Sequence, residues 1–473
     1  MTRLASLRLW TRPRGCDGWR RFRRRSPNLF TVICFLAQLF VASSACLLSV
    51  RIVSADSAAV LPKGRASFGL DYLYYFPATK RFDPNGNAVD IASGINGRSL
   101  DSTIFPQLAL LNPFVPGGDA SIGDAFVSFK YRYDVLDYGF LYGITDRLTA
   151  GIDIPYYWGR NDVRASLNSG PGSSANVGLR VGPPVGPCAA PVLPLTCPNT
   201  RPFTTEDVQQ LLGPGLPGIP GFGYKPVENF SANGFGDVSV AAKYQYLRTQ
   251  DWELAVTGGV RFPTGRTDDP DNLSDVFWSS GAYALLFRAH HDYTISNLWR
   301  ETSARPADSP KVSGAGDLIL DFTFRYDLVL PDTATLRGAT PNDPISNIRA
   351  QVHRDLGDRF EFEVSALYYP PILRGLSLSA LYKYGFKLKD HLYGPAGFPN
   401  QAQEQDTDST EQLYIVRANY STLPLYLEKQ FPIPLLISIY YRDRFAGSGP
   451  EVVGSPSQVL KTRYIGFGLQ LLF

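Results

Sequence analysis

The sequence predicts an all-β chain, a transmembrane antiparallel β-barrel, on three observations. An alternating segment recurs three times without gaps, the chain end repeats the alternation and stops on Phe473, and a basic then apolar N-terminal stretch suits export.

The repeats run from Gly123-Asp124 to Tyr133, from Gly236-Asp237 to Tyr246 and from Gly316-Asp317 to Tyr326. Counting from each Asp, odd positions are apolar or aromatic, as in Val127, Phe129 and Tyr131, Val240 and Tyr244, or Leu320, Phe322 and Phe324. Even positions are mostly polar or small, among them Lys130 and Arg132, Lys243 and Gln245, Asp321 and Arg325; Phe126 and Ile319 depart from the pattern. Successive strand side chains point to opposite faces, so each copy has one side for lipid and one for a wet lumen. A soluble sandwich alternates too. Length separates the two, because each copy has about the 9 to 11 residues that a tilted strand needs to cross a bilayer. Each also ends in aromatics on the apolar side, where Tyr suits the membrane interface. The next segment continues the alternation, with Glu253 and Arg261 on its polar side.

Arg463, Ile465, Phe467, Leu469, Leu471 and Phe473 form one face of the last segment, and Tyr464, Gly466, Gly468, Gln470 and Leu472 the other. A terminal amphipathic strand ending in Phe resembles the sorting signal read by the bacterial outer-membrane assembly machinery. The resemblance implies that Phe467, Leu469, Leu471 and Phe473 are the assembly signal, with the barrel assembly machinery and outer-membrane lipid as partners.

Connections are uneven. Gly143 to Arg147 and Arg248 to Asp251 make tight turns, whereas 77–122, 159–233 and 389–410 are long and polar or Gly/Pro-rich, as expected of extracellular loops. About 14 strands are expected, within 12 to 16, an even count that closes with both termini on one side. Among them are 124–143, 147–158, 276–289, 293–300, 314–330 and 345–355, with 331–344 as an unusually long inner turn.

Residues 1–55 read as a signal segment and 56–473 as the barrel. Ten of the 46 basic residues fall in the first 55 against Asp17 alone, so the remainder carries 36 basic and 42 acidic residues, a net charge of −6. A nucleic-acid surface is not supported. The apolar run from Leu29 to Val50 precedes Val53-Ser54-Ala55, a signal-peptidase pattern, and a cut after Ala45 is an alternative. The run's length also suits an uncleaved helical anchor, and Ser44-Ala45-Cys46 faintly resembles a lipoprotein site. Cys188 and Cys197 are then the only cysteines left, close together in a Pro-rich loop, and an oxidising compartment would bridge them.

Gly236-Asp237, Lys243-Tyr244 and Val260-Arg261-Phe262-Pro263-Thr264-Gly265 resemble the outer-membrane family of the meta-pathway of phenol degradation. Gly143 to Leu148 with Ile154-Pro155-Tyr156 resembles an earlier copy of the same hairpin, so the likeness covers 123–330 and the terminal strand. That family is similar to the FadL-type transporters, which implies passage of small hydrophobic or aromatic compounds across the outer membrane. FadL-type barrels carry an N-terminal hatch. Here only about eight residues precede the first strand after a cut at Ala55, so a constriction is expected from a loop folded inward, Gly159 to Asn233, with a short helix seeded by Thr204-Thr205-Glu206-Asp207.

No motif for catalysis, a metal or a cofactor appears. His290, His291, His353 and His391 are the only histidines, and His290-His291 reads as a turn. Lys130, Arg132, Lys243, Gln245, Glu253, Arg261, Asp321 and Arg325 are the lumen-lining candidates, set against a bracing role for the same charges. The reading is a passive channel with a small hydrophobic or aromatic solute as partner. The alternative is a surface scaffold or adhesin that works through its loops.

Overall fold

The computed structural model describes residues 57–298, 316–340, 345–450 and 458–473. The expected signal segment lies outside them. Twelve antiparallel strands form the wall: β1 (Ala66–Tyr75), β2 (Asp124–Thr145), β3 (Leu148–Asn168), β4 (Val238–Arg248), β5 (Trp252–Phe262), β6 (Ala284–Thr294), β7 (Leu318–Val329), β8 (Arg359–Tyr368), β9 (Leu376–Lys387), β10 (Ser409–Ser421), β11 (Leu435–Ser448) and β12 (Arg463–Leu472). Each pairs with the next, and β1 pairs with β12 from Ser67↔Leu472 to Tyr75↔Tyr464, so the sheet closes. A short additional strand, Phe230–Phe235, extends the line of β4 along β3.

The outward face is apolar. Phe68, Phe140, Val256, Phe287, Phe322, Phe362, Val416, Ile439 and Phe467 all point out and are 41 to 51% exposed, a band of large hydrophobic side chains that only lipid would cover. Closure removes the edges that an open sheet would leave unpaired in hydrocarbon. The chain is a β-barrel of the outer-membrane type.

Twelve wall strands replace the expected 14 for two reasons. The 276–289 and 293–300 segments are one strand, β6, because His290 is not in a turn: it is buried, faces inward, and its ring nitrogen meets Thr257 Oγ1 at 2.9 Å. Residues 349–355 do not join the wall. They pair instead with Asp332–Arg337 and His391–Tyr393 in a small separate sheet. The merger removes one strand before β7 and so reverses its direction, which puts Asp332–Arg337 and Arg349–Asp355 at the long-loop rim and not in an inner turn.

β2 and β3 have 22 and 21 residues, far more than a bilayer needs, and pair with each other along almost their whole length. Their far halves rise above the lipid band. Loops from 76–123, 169–229, 263–283 and 345–358 meet there in one apolar core that includes Leu108, Ile122, Val177, Phe203, Leu211, Phe222 and Ile345. Within it the expected helix forms as α1 (Thr205–Leu212). Thr204 caps it, accepting from the Asp207 backbone N–H at 3.2 Å, while the Thr204 N–H donates back to Asp207 at 2.7 Å. Cys188 and Cys197 are disulfide-bonded in the same region, with Cα atoms 6.0 Å apart.

Candidate functional site

The lumen is built by the inward-facing half of each strand's alternation. Of the sequence candidates, Lys243, Gln245, Glu253, Arg261, Asp321 and Arg325 face it. Lys130 and Arg132 do not. β2 keeps one phase from end to end, and its membrane half must turn Leu136, Tyr138, Phe140 and Tyr142 toward lipid. In the far half the same phase sends Val127, Phe129, Tyr131 and Tyr133 inward and Lys130 and Arg132 out. Phe129 is 4% exposed under the loops, packed with Ile91, Ala92 and Val163, and Arg132 lies outside over the Tyr74 ring at 4.8 Å. The first repeat resembles the other two in pattern, but loop core replaces lipid on its apolar side.

At the short-turn end the lumen is filled by the chain's own N-terminal segment. Ser57 to Pro62, just ahead of β1, is buried inside the wall. Ala58 N–H donates to both Asp292 carboxylate oxygens at 2.9 Å, Leu61 N–H to Thr149 Oγ1 at 2.8 Å, Lys243 Nζ to the Ser57 carbonyl at 2.7 Å, and Gln245 Nε2 to the Ala58 carbonyl at 3.0 Å. Gln245 also donates to Glu253, at 3.3 Å. Three of the sequence candidates therefore meet around this plug. Gly143 makes room for it: a Cβ there would stand 2.1 Å from the Pro62 carbonyl oxygen.

At the long-loop end the segment lying against the inner wall is 263–283, not the expected Gly159 to Asn233. The outer parts of that span are strands, and its middle belongs to the loop core. Trp278 stacks on Tyr157 with ring centroids 5.3 Å apart and planes 8° from parallel, and its Nε1–H donates to the Phe235 carbonyl at 2.9 Å. Asn161, fully buried, donates to the Ser274 carbonyl at 3.1 Å. Gly159 allows this approach, since a Cβ there would lie 3.1 Å from Val276 and 3.2 Å from Trp278.

Between plug and loop the wall carries charge and phenol. Arg261 pairs with Asp327 at 3.0 Å, and Asp327 also accepts from Arg288. Arg325 pairs with Glu363 at 3.0 Å, Lys383 with Glu361 at 2.8 Å and with Glu411 at 3.1 Å, and Glu411 with Arg444 at 2.7 Å. Asp321 accepts from Ser365 at 2.8 Å. On β11, β12, β1 and β2 the inward groups include tyrosines: Tyr75 is 4.7 Å from Tyr464 and 6.3 Å from Tyr133, and Tyr440 donates to Asp71 at 3.0 Å. Gly466 leaves space for Tyr440, whose ring would be 2.3 Å from a Cβ at that position.

Most of this ladder, including Asp327, Glu361, Lys383, Glu411 and Arg444, is missing from the sequence candidates. Extending the period-two parity from β7 onward would have found most of it, since Asp327, Glu361, Lys383 and Arg444 each alternate with an aromatic or aliphatic neighbour. Asp292 and the plug had no signal, because a six-residue apolar segment reads as a linker. Among the described residues no group of His, Cys, Asp and Glu side chains is arranged to hold a metal.

Residues 200–305 match the family described as "Putative MetA-pathway of phenol degradation", so the resemblance read from the sequence holds over that segment. No curated protein matches the chain. Among solved structures, an outer membrane channel from Pseudomonas putida is 13% identical, with 89% of this chain and 100% of that chain covered and a TM-score of 0.45. A FadL homologue from Pseudomonas aeruginosa is 11% identical over 88% of this chain and 91% of that one, with a TM-score of 0.31. The toluene transporter TbuX of Ralstonia pickettii is 10% identical over 87% and 90%, with a TM-score of 0.30.

Proposed function

We propose that this barrel is an outer-membrane channel through which small hydrophobic or aromatic compounds pass by passive diffusion. The observation that carries the reading is the lumen wall between plug and loop, where Arg417, Arg442 and Asp137 face inward and are only partly buried. Side chains that filled the barrel like a core would bury one another; these border open space. Flat phenolic rings along that space offer apolar contact to an aromatic solute without closing the path to polar ones. The matching family's description, phenol degradation, agrees in chemistry. The short-turn rim, where β1 begins and β12 ends, is then the periplasmic side, and residues 1–55 are the exported signal removed before assembly.

The initial rate of phenol uptake, compared between Gram-negative cells with and without the chain in their outer membrane, tests the proposal. The expected result is a faster rate, linear in concentration and unchanged by an uncoupler. Equal rates in the two cell types would contradict it and favour a surface scaffold working through the packed loops.

A further inference from the structure

The charged ladder leaves two cations over. Arg261, Arg288, Arg325, Lys383 and Arg444 each have a carboxylate partner. Arg417 on β10 and Arg442 on β11 have none: among the described residues neither guanidinium makes a hydrogen bond or an ion pair, and Arg417 Nε is buried without a partner. Each lies on an aromatic face instead, Arg417 4.6 Å from the centroid of Tyr440 and Arg442 5.3 Å from that of Tyr464. The two are neighbours on the wall, since Tyr440 is directly opposite Arg417 and Arg442 opposite Ile415 in the β10–β11 register.

A guanidinium whose contact is with a ring face rather than a carboxylate keeps N–H groups available, in the fork geometry that matches a carboxylate. Leaving such donors partly desolvated and unsatisfied is costly, and an entering anion relieves that cost. The surroundings limit which anion. Glu411 and Asp71 stand close by, the first paired to Arg444 and the second accepting from Tyr440, so the local excess of positive charge is small and suits a single negative charge. Tyr75 and Tyr133, both partly exposed, continue the wall with ring surface. We propose that Arg417 and Arg442 form a lumen site for the carboxylate of an aromatic acid, whose ring rests against these tyrosines. The site rests on reading the lumen as a solute path and names the class of solute it favours.

The test is calorimetric binding of benzoate, and of its neutral isostere benzamide, to the refolded full chain, with heat-modifiable gel mobility to confirm folding. Benzoate should bind at least about tenfold more tightly than benzamide. Arg442→Gln and Arg417→Gln should each remove about that factor for benzoate while leaving benzamide unchanged, and Arg442→Lys should restore part of it. Equal binding of the two probes, or benzoate binding indifferent to both substitutions, overturns the site. If a Gln variant does not fold, the comparison of the two probes on the wild-type chain decides alone. Ion conductance of the same preparations separates this inference from the channel reading. Conductance with no benzoate preference sinks the site alone, whereas benzoate preference without conductance keeps the site and sinks the channel.

Discussion

Ala58 and Asp292, 234 positions apart, are joined by one backbone N–H shared between both carboxylate oxygens at 2.9 Å. That contact fixes the plug to β6 and closes the short-turn end of the lumen. Since the plug is a short segment held mainly by hydrogen bonds to wall side chains, removing it should open the lumen without unmaking the sheet. Deleting residues 57–62 is expected to raise single-channel conductance several-fold while heat-modifiable mobility is retained. Asp292→Ala should give an intermediate rise with frequent closures, visible in the same recordings. Unchanged conductance in both variants would mean that the constriction lies elsewhere.

Glu411 bridges two strands by accepting from Lys383 and Arg444. Removing one partner of a fully buried pair leaves the others uncompensated and costs about 3–5 kcal/mol, an upper bound here because these side chains are 15 to 20% exposed. Glu411→Gln should therefore lower the urea midpoint of the refolded barrel substantially, and Lys383→Met combined with it should recover part of the loss. A midpoint unchanged by Glu411→Gln would show that water in the lumen screens these charges as it does surface pairs.

The seat of the 263–283 loop should depend on pH. Burial, with Asp275 and Asp269 nearby, raises the Asp268 carboxyl to about 7. A raised carboxyl favours the packed loop while it is protonated, so this contribution is complete below about pH 4 and is lost as pH rises toward about 7. Hydrogen-exchange protection of the loop should fall across that window, and Asp268→Asn should flatten the fall. A fall that persists in Asp268→Asn would assign it to another group. Trp278→Ala should reduce protection at every pH.

Helix α1 titrates with the opposite sign. Arg201, donating to Asp207 at 2.8 Å, together with the Thr204 N–H, holds the Asp207 carboxyl down to about 2. The stabilisation is present above about pH 4 and is lost as pH falls through about 2. Protection factors in 205–212 should hold from neutral pH to about 4 and then drop, whereas Asp207→Ala should lower them at neutral pH. Equal protection in the variant would show that the apolar contacts of Phe203 and Leu211 hold the helix without its cap.

The alternation in β4, β5, β7 and β12 could be read from sequence because each of those strands borders lipid on one side along its full length, so period two maps directly onto inside and outside. β2 broke the mapping, since its first half borders loop core. The lipid-facing phase was set by Leu136 to Ile144, beyond the repeat. His290-His291 suggested a turn through polarity alone, although a buried His with hydroxyls from Thr257 and Thr323 beside it sits well within a strand. The plug and the 263–283 seat depend on contacts between distant segments, such as Gly143 with Pro62 and Gly159 with Trp278, for which no local pattern exists.

Single-channel conductance of the refolded chain in a planar bilayer, alongside the 57–62 deletion, tests the central claim most directly. Discrete steps that grow on deletion and are reduced by an added aromatic solute are expected. Silence from both chains, each folded by gel mobility, would contradict it.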